Sequence, residues 1–440
     1  MNPHPVDSGR EDRGIVPRRF LIPFILLTSC FALWGLANNM TDLLLASFKR
    51  IMSMSDFQTS WIQVAFYGSY FCLALPAALF IRRYSYKSGL LLGLGLFALG
   101  ALLFYPASIT MVYGHFLIAL FVLAGGLAIL ETTANPYALS MGPEYNATRR
   151  LNLAQAFNPI GSITGVLIGQ HMILAHLDVA DETDRLAMDP LLLREIQQTE
   201  LDAVMTPYVV IALVIVGVWL VMAVTRFPYK ISHDDQLPLG STFMRLLRTP
   251  HYVQGVIAQF FYVGAQIGVW SFTVRYVQVN IDLTEKEASA YYLAAILIFS
   301  ASRFICTGLM RYFDPRRLLW LFALMAALLC VVVILDRGLL GVYALVGISA
   351  FMSLMFPTIY GIALSGLGDA TKVGASGLIM AIIGGAVLTA IQGKCSDLFS
   401  IHIAYAVPLV CFIVIALYGL FGAKENQGGS GSVTSPSSSQ

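Results

Sequence analysis

Charged side chains are scarce along this chain. Asp, Glu, Lys and Arg together make up 12% of its 440 residues, whereas 57% of the residues are hydrophobic. Soluble globular proteins carry about 25% charged residues. The net charge of +2 is small, and the Lys and Arg residues are scattered through short loops, unlike those of a nucleic-acid-binding surface. The composition therefore predicts a protein embedded in the lipid bilayer, with no nucleic-acid partner.

The sequence also lacks the motifs of several functional classes. Its six cysteines occur singly, without a CxxC pair or a metal-ligand spacing. No Walker A motif, metal-ligand cluster or Ser/His/Asp pattern is present. The polar segment 1–19 has no apolar centre and is not a cleavable signal. We therefore predict neither an enzyme nor a bound metal or organic cofactor.

Long apolar runs are abundant instead. A transmembrane helix needs about 20 apolar residues to cross a hydrocarbon core of about 30 Å. The sequence predicts an all-α membrane protein with six such helices in its first half, at 20–40, 58–81, 89–105, 111–139, 152–173 and 207–224. Six more follow at 252–274, 288–310, 318–335, 339–364, 374–393 and 401–422. We expect an N-terminal lobe at 20–225, a linker at 226–249, a C-terminal lobe at 250–422 and a disordered, Gly- and Ser-rich tail at 423–440.

The two longest polar gaps differ in charge. The gap 174–206 holds eight acidic residues against two arginines, whereas 226–249 holds four basic residues against two acids. The positive-inside rule places the second gap and both termini, including segment 1–19, in the cytoplasm. We expect a monomer that spans the membrane.

The two halves of the chain contain similar sequence patterns. The segment after helix two reads IRRYSYKSGLLLGLGLFALGALL, and the segment after helix eight reads MRYFDPRRLLWLFALMAALL. Transporter folds are often built from such repeats. Two six-helix lobes with a cytoplasmic linker and a repeated basic loop resemble the major facilitator superfamily. This resemblance implies alternating access between two lobes.

One acid lies deep inside a predicted span. Glu131 stands in GGLAILETTANPYAL, after the apolar run 116–130, and no basic residue follows before Arg149. Burying an ionisable group in hydrocarbon costs at least about 2.5 to 3.5 kcal/mol, so such a group is a functional hypothesis by default. Desolvation without a nearby cation favours the protonated acid, which a proton carrier needs. The alternative is a neutral acid that joins two helices by a hydrogen bond.

A second acid, Asp42, follows Asn38 and Asn39 in LWGLANNMTDLLL, at the end of the first predicted helix. It lies 22 residues after Phe20, about 33 Å along the helix axis, and therefore near the outer surface. Helix four enters from the outside, which places Glu131 about 30 Å down its axis and deeper than Asp42. Such an order suits a proton pathway from outside to inside. The alternative for Asp42 is an ordinary solvated helix end.

Three residues are candidates for a gate or a structural role. Pro136, in the pair Asn135-Pro136, removes a backbone donor beside Glu131 and predicts a local bend in helix four. Pro357 occupies a similar place in the motif FPTIYGIALSGLG of helix ten. Arg303 lies seven residues from the predicted inner end of helix eight and can snorkel. We expect Arg303 to form a gate tether or a structural ion pair.

Uncharged amides recur on two predicted helix faces. Helix five carries Asn152, Gln155 and Asn158, and helix seven carries Gln259, Tyr262, Gln266 and Trp270. Amides pair with sugar hydroxyls without net charge, and an aromatic face packs on a pyranose ring. The predicted sugar contacts are Asn38, Asn39, Asn135, Gln155, Asn158, Gln259, Tyr262, Gln266 and Trp270. The alternatives are hydrogen bonds between helices for helix five and an interfacial aromatic stripe for helix seven.

These motifs resemble those of one transporter family. LANNMTDLLL, ETTANPYALSMGPE, RLNLAQAFNPIG, VGAQIGVWS, FPTIYGIALSGLG and IMAIIGGAV are similar to motifs of the bacterial proton symporters for L-fucose, galactose and glucose, and the likeness covers about residues 20–422. The resemblance implies symport of a neutral sugar, L-fucose first, with a proton as coupling ion. It implies proton-coupling roles for Asp42 and Glu131, and it places Gln155 and Asn158 in or near the sugar cavity.

Two other transport functions stay open at this point. The same scaffold could take up glucose or galactose, or it could export another small metabolite. Export would favour a wider apolar pocket than these amides indicate. A membrane enzyme, a channel or a sensor without transport has no supporting motif.

Overall fold

The computed structural model describes residues 14–51, 56–168, 189–228 and 239–422, and all regular elements in these ranges are helices. The N-terminal half contains α1 (Leu21–Ile51), α2 (Asp56–Arg83), α3 (Tyr86–Thr110), α4 (Tyr113–Ser140), α5 (Ala147–Gln155), α6 (Asn158–Ile168) and α7 (Pro190–Val224). A short helix, α8 (Leu239–Leu247), precedes the C-terminal half. That half contains α9 (Pro250–Ile281), α10 (Glu285–Leu309), α11 (Pro315–Leu335), α12 (Leu339–Met352), α13 (Met355–Leu364), α14 (Thr371–Met380), α15 (Gly384–Leu398), α16 (Ile401–Ala404) and α17 (Ala406–Phe421).

Eleven helical stretches in the described ranges are long and apolar enough to cross a membrane. The predicted fifth helix is not among them because it is interrupted after α5 and its residues from 169 onward lie outside the described ranges. With α5 and α6 taken as one interrupted crossing, the twelve predicted helices form two lobes of six. The all-α prediction is confirmed.

Two predicted helix boundaries are wrong by more than ten residues. The first helix continues to Ile51 instead of ending at Met40, because apolar residues continue after Asp42. Asp42 therefore lies within α1 and not at its end. The sixth helix begins at Pro190, so part of the acidic gap 174–206 is helical. The predicted linker contains α8, whose apolar residues recur at helical spacing.

Side-chain oxygens fix where several helices begin. The Oγ atom of Ser85 accepts a hydrogen bond from the Ser88 backbone at 3.0 Å before α3. Thr284 and Glu287 form a reciprocal pair before α10, in which each side chain accepts from the other's backbone N–H. The first turn of a helix has no internal partners for its N–H groups, and these contacts supply them.

Backbone contact between helices makes the N-terminal lobe compact. A Cβ atom on Gly126 of α4 would overlap the backbone of Phe97 in α3. A Cβ atom on Gly161 of α6 would likewise overlap the carbonyl of Ala32 in α1. Small residues allow such close crossings in membrane helices, where packing and not hydrophobic burial drives association.

One side of the bundle, which we call the basic side, carries the half-buried Lys87 and the buried Arg150. The Lys87 Nζ atom donates to the carbonyls of Ala223 and Thr225, at 2.7 and 2.8 Å, and so holds the end of α7. The fully buried Arg150 donates from Nε to the Ala138 carbonyl at 2.7 Å, near the end of α4. Both cations lie where helix dipoles are negative.

The two lobes meet on the basic side. There α5 packs against α13, and α2 packs against α14. Arg149 donates from Nε to the Thr307 carbonyl of α10 at 3.0 Å. Asn152 donates from Nδ2 to the Thr358 Oγ1 atom of α13 at 3.2 Å. These bonds cross from one lobe to the other, so this structure is closed on the basic side.

Candidate functional site

Glu131 lies in the middle of the bundle with an unpaired carboxyl group. Its side chain is 2% exposed, and neither carboxyl oxygen has a hydrogen-bond partner among the described residues. The hydroxyls of the neighbouring Thr132 and Thr133 donate instead to carbonyls one turn back in α4, both at 2.7 Å. An unpaired ionised carboxylate is costly to bury, so this environment suits a carboxyl group that carries a proton.

Two tyrosines from different lobes interact electrostatically with this acid. Tyr70 of α2 and Tyr360 of α13 are both fully buried, and each lies within electrostatic range of the Glu131 carboxyl group. The Tyr70 hydroxyl accepts a hydrogen bond from Trp34 Nε1 at 2.8 Å. The Tyr360 hydroxyl has no partner among the described residues. Glu131 therefore sits at the interface between the lobes.

The predicted amides Asn135 and Gln155 are brought together beside Glu131. Asn135 follows Glu131 by one helical turn and thus shares its face of α4. Gln155 donates from Nε2 to Asn135 Oδ1 at 2.8 Å, and both side chains are buried. The Asn135 Nδ2 atom has no partner among the described residues. One amide donor is thus left available next to the buried acid.

Arg303 joins the two lobes next to Gln155. Its Nη1 atom donates to the Gln155 carbonyl at 3.0 Å, and its Nε atom donates to the Ser353 carbonyl at 2.7 Å. Its guanidinium also lies 4.6 Å from the centre of the Phe299 ring. The side chain is 3% exposed and does not snorkel to the surface, as the sequence had suggested it could. Its partners are backbone carbonyls, one in each lobe.

Two prolines explain why those carbonyls are free. A proline has no N–H to donate to the carbonyl four residues earlier in a helix. Pro159 therefore leaves the Gln155 carbonyl without its helical partner, and the chain is interrupted between α5 and α6. Pro357 does the same to the Ser353 carbonyl, and helix ten is interrupted between α12 and α13. One arginine thus satisfies two carbonyls in opposite lobes.

Pro136 behaves differently from Pro357. It also removes one backbone hydrogen bond, to the carbonyl of Thr132, but α4 continues through it from Tyr113 to Ser140. The bonds on either side hold the helix together. Pro136 therefore shapes α4 without interrupting it.

The predicted stripe on α9 divides into two parts. Gln259 and Tyr262 are fully buried, and the Tyr262 hydroxyl donates to the Met352 carbonyl at 3.2 Å. Both polar atoms of the Gln259 side chain lack partners among the described residues. Gln266 and Trp270 are half-buried, and Trp270 donates from Nε1 to Ser349 Oγ at 3.2 Å.

The remaining candidates contact the backbone of α1 or lie outside the described side chains. Asn158 donates to the Phe31 carbonyl at 3.2 Å, as the alternative of a hydrogen bond between helices had proposed. Asn39 donates to the Gly35 carbonyl within its own helix at 3.3 Å. Asn38 and Asp42 belong to α1, but their side chains lie outside the described part of the structure.

Sequence reasoning did not single out Trp34, Tyr70 or Tyr360. Tyr360 stands in FPTIYGIALSGLG, three residues after Pro357, so the motif was visible. Nothing in the sequence connects it with Glu131, because the two residues belong to different lobes. A buried aromatic hydroxyl close to an intramembrane acid becomes visible only once the lobes are packed.

Two six-helix lobes that enclose a buried acid and partly unpaired amides define a membrane transporter. The sequence profile of the Major Facilitator Superfamily matches residues 24–391, and the chain belongs to this family. It is 43% identical to the L-fucose-proton symporter of Haemophilus influenzae, over 92% of this chain and 97% of that protein. It is 40% identical to the L-fucose-proton symporter of Escherichia coli, over 92% and 94%. A glucose/galactose transporter of Brucella abortus is 35% identical, over 91% and 93%.

Solved structures are similar to this one over most of its length. The crystal structure of the transporter FucP in the outward conformation has a TM-score of 0.87 and 39% identity, and the match covers 92% of this chain and 100% of that chain. The proton:xylose symporter XylE has a TM-score of 0.67 at 11% identity, over 91% and 95%, which shows a common fold alone. The predicted superfamily and fold are therefore confirmed.

Proposed function

We propose that this chain carries a neutral monosaccharide together with a proton across the membrane, with L-fucose as its substrate. The observation that carries the proposal is the Glu131 carboxyl group, buried and unpaired at the interface between the lobes. Intramembrane acids that face a bundle interior commonly mark proton pathways. A residue held only for helix packing would be expected to bond to a neighbouring helix.

Proton coupling follows from the cost of enclosing this site. If the lobes close on both sides while Glu131 is ionised, a charge is left without water or a counter-ion. A bound proton removes that cost. The polar groups of Asn135, Gln259 and Tyr360 are already buried without partners among the described residues, which costs about 1 to 3 kcal/mol for each group, and a bound sugar would supply the missing hydrogen bonds. Proton and sugar therefore favour the same closed intermediate.

The free groups around Glu131 match the chemistry of a sugar. Amide and phenol groups donate and accept without net charge, as sugar hydroxyls require. We assign sugar contacts to Asn135, Gln155, Gln259 and Tyr360, and we place Trp270 at the border of the site as an aromatic wall. Asn38, Asn39 and Gln266 stay predicted contacts. Asn158 is better explained as a bond between α6 and α1.

The choice of sugar rests on similarity. The two relatives at 43% and 40% identity are named L-fucose-proton symporters, whereas the glucose/galactose transporter is 35% identical. We therefore put L-fucose first, and glucose or galactose uptake is the alternative. The buried amides and the single acid give no support to the export of an apolar compound.

Alternating access gives each side of the molecule a role. On the positive-inside rule, we propose that the basic side and both termini are cytoplasmic. The closed basic side, and the similarity to FucP in the outward conformation, then correspond to a carrier that receives its sugar from outside. We propose that the protein works as a monomer in the bacterial cytoplasmic membrane, since both lobes of the site belong to one chain.

Uptake into proteoliposomes tests this function. Radiolabelled L-fucose, galactose, glucose and arabinose are offered to vesicles that contain the purified protein, with and without an acidic exterior. We expect L-fucose to accumulate above its external concentration only with the pH gradient, and a protonophore to abolish this accumulation. If glucose or galactose accumulates instead, the alternative is correct. If no sugar accumulates, the proposed symport is wrong.

A further inference from the structure

A cavity lies on the basic side of the bundle, and it is separate from the site around Glu131. Its volume is about 640 Å³. Residues of both lobes line it, from the start of α3 and the end of α4 on one side and from the end of α13 and the start of α14 on the other. Glu131, Asn135 and Gln155 are not among these lining residues. The cavity therefore requires a separate explanation.

Lys372 brings a buried cation to this cavity. Its side chain lines the wall, is 7% exposed and has no hydrogen-bond partner among the described residues. Its ammonium lies 5.7 Å from the centre of the Tyr86 ring, within the range of a cation–π contact. Lys372 also belongs to the first turn of α14, which has no side-chain cap. The positive end of the helix dipole and the ammonium thus coincide.

Tyr137 supplies a buried donor on the opposite wall. Its side chain is 4% exposed, and its hydroxyl has no partner among the described residues. Its ring lies between those of Tyr86 and Phe227, with centroid distances of 5.1 and 5.9 Å. The Tyr137 phenol is therefore a buried, unpaired group of a residue that lines the cavity beside two other aromatic rings.

Lys372 and Lys87 both line the cavity, but only the ammonium of Lys372 has no hydrogen-bond partner among the described residues. The Lys87 ammonium also lines the wall, but it already donates to the Ala223 and Thr225 carbonyls. Glu144, the acid among the described lining residues, is exposed. The inner part of the cavity thus combines a free ammonium, a free phenol and aromatic rings.

We propose that this cavity binds a small phosphate-bearing molecule. A phosphate group carries up to two negative charges and three acceptor oxygens, which suit Lys372 and Tyr137. The body of the ligand packs against the rings of Tyr86 and Phe227. The volume exceeds that of a phosphate ion and leaves room for such a body. The phosphate can come from a soluble metabolite or from a phospholipid headgroup.

Calorimetric titration of the purified full-length protein in detergent tests the site without any transport step. Phenyl phosphate and inorganic phosphate are the probes, and phenol is the uncharged control. We expect saturable binding of both phosphates, tighter for phenyl phosphate because of the aromatic wall, and none for phenol. If neither phosphate binds saturably, or if phenol binds as well as phenyl phosphate, the proposal is wrong.

Matched variants locate the binding. Lys372→Gln should weaken phenyl phosphate binding about tenfold or more, because it removes a charged donor. Tyr137→Phe should weaken it about fivefold by removing one neutral hydrogen bond, while keeping the ring and the packing. Lys394→Gln, which removes an exposed lysine outside the cavity, should bind like the unmodified protein. Unchanged binding in both cavity variants would overturn the proposal.

The source of the phosphate is tested in nanodiscs. Phenyl phosphate is titrated into protein held in phosphatidylcholine, with or without phosphatidic acid. Weaker apparent binding in the presence of phosphatidic acid supports a lipid headgroup as occupant, and equal binding supports a soluble phosphate compound. Failure of sugar uptake would leave these binding measurements intact, so the site and the transport function are judged separately.

Discussion

The guanidinium of Arg303, in the C-terminal lobe, donates to the backbone carbonyl of Gln155, in the N-terminal lobe, at 3.0 Å. Gln155 also donates from its side chain to Asn135, one turn beyond Glu131 on α4. A single residue thus connects the closure of the basic side with the surroundings of the buried acid. Since the Gln155 carbonyl is free only because of Pro159, the connection depends on an interrupted helix.

Arg303→Gln should loosen the closed basic side. A neutral, shorter side chain cannot bridge both carbonyls, and a bond from a charged donor stabilises by about 1.5 to 3 kcal/mol. Hydrogen-exchange mass spectrometry should show amides of α5 and α13 exchanging about tenfold faster or more. Arg275→Gln, which changes an exposed arginine of α9, serves as control and should leave these rates unchanged. Equal exchange in both variants would show that Arg303 does not hold the lobes.

Pro357→Ala should weaken the same tether from the acceptor side. The new N–H can bond to the Ser353 carbonyl within the helix, so Arg303 loses its partner at 2.7 Å. We expect faster exchange in α5, and less than additive effects when the change is combined with Arg303→Gln, since both remove one interaction. Pro106→Ala, inside α3, is the matched control. Full additivity in the double variant would argue against a shared tether.

Glu131→Gln should separate accumulation from exchange. The amide keeps the size of the carboxyl group but cannot release a proton, so accumulation driven by a pH gradient should be lost. Counterflow exchange of labelled sugar should continue because it needs no net proton release. Glu144→Gln, at an exposed acid, should keep both activities. Loss of exchange as well as accumulation would assign Glu131 to sugar binding or to structure.

Asp42→Asn should alter how uptake depends on pH. If Asp42 delivers protons towards Glu131, its loss should displace the pH profile of initial uptake rates while the carrier still exchanges sugar. If the variant and the unmodified protein show the same pH dependence of uptake, Asp42 has no role in proton coupling. Asp282→Asn, at the turn after α9, provides a control acid outside the proposed pathway.

Tyr360→Phe should weaken sugar binding without reducing stability. Its hydroxyl has no partner among the described residues, so removing it should cost no internal hydrogen bond. We expect a KM for sugar raised about fivefold, in line with one lost hydrogen bond, and an unchanged Tm. Tyr276→Phe is the contrasting control, because that hydroxyl donates to the Val333 carbonyl at 2.8 Å. That variant should lower the Tm and leave the KM unchanged; the reverse pattern would remove Tyr360 from the site.

Much of this architecture could be predicted from local patterns. The presence of the helices could be predicted from the apolar runs, because a run of about 20 apolar residues is typical of a helix that crosses the lipid bilayer. Helix ends were less predictable: Met40 looked like an end because polar residues follow it, yet α1 continues to Ile51. Asparagines followed three residues later by an aspartate, as in Asn39 and Asp42, are compatible with both a helix end and a helix interior, and only the packing around them decides.

The sequence identified residues of the site but could not show which of them contact each other. A carboxylate in an apolar run identified Glu131, because few reasons exist for placing an acid in a membrane. The roles of Arg303 and Tyr360 could not be read in the same way, since an arginine near a helix end and a tyrosine near a proline are both common. Gln155, which Arg303 contacts, and Glu131, near Tyr360, belong to the other lobe, more than 100 residues away in the chain.

By itself the sequence determined that this protein spans a membrane, that it has two repeated halves and that Glu131 is buried in the first. These properties depend on composition and spacing, which need no knowledge of contacts. The tertiary structure decided that Pro159 and Pro357 free one carbonyl in each lobe, and that Arg303 binds both. It also decided that Lys372 and Tyr137 face a common cavity. Such pairings arise only when the two lobes pack together, because the interaction depends on distance and not on position along the chain.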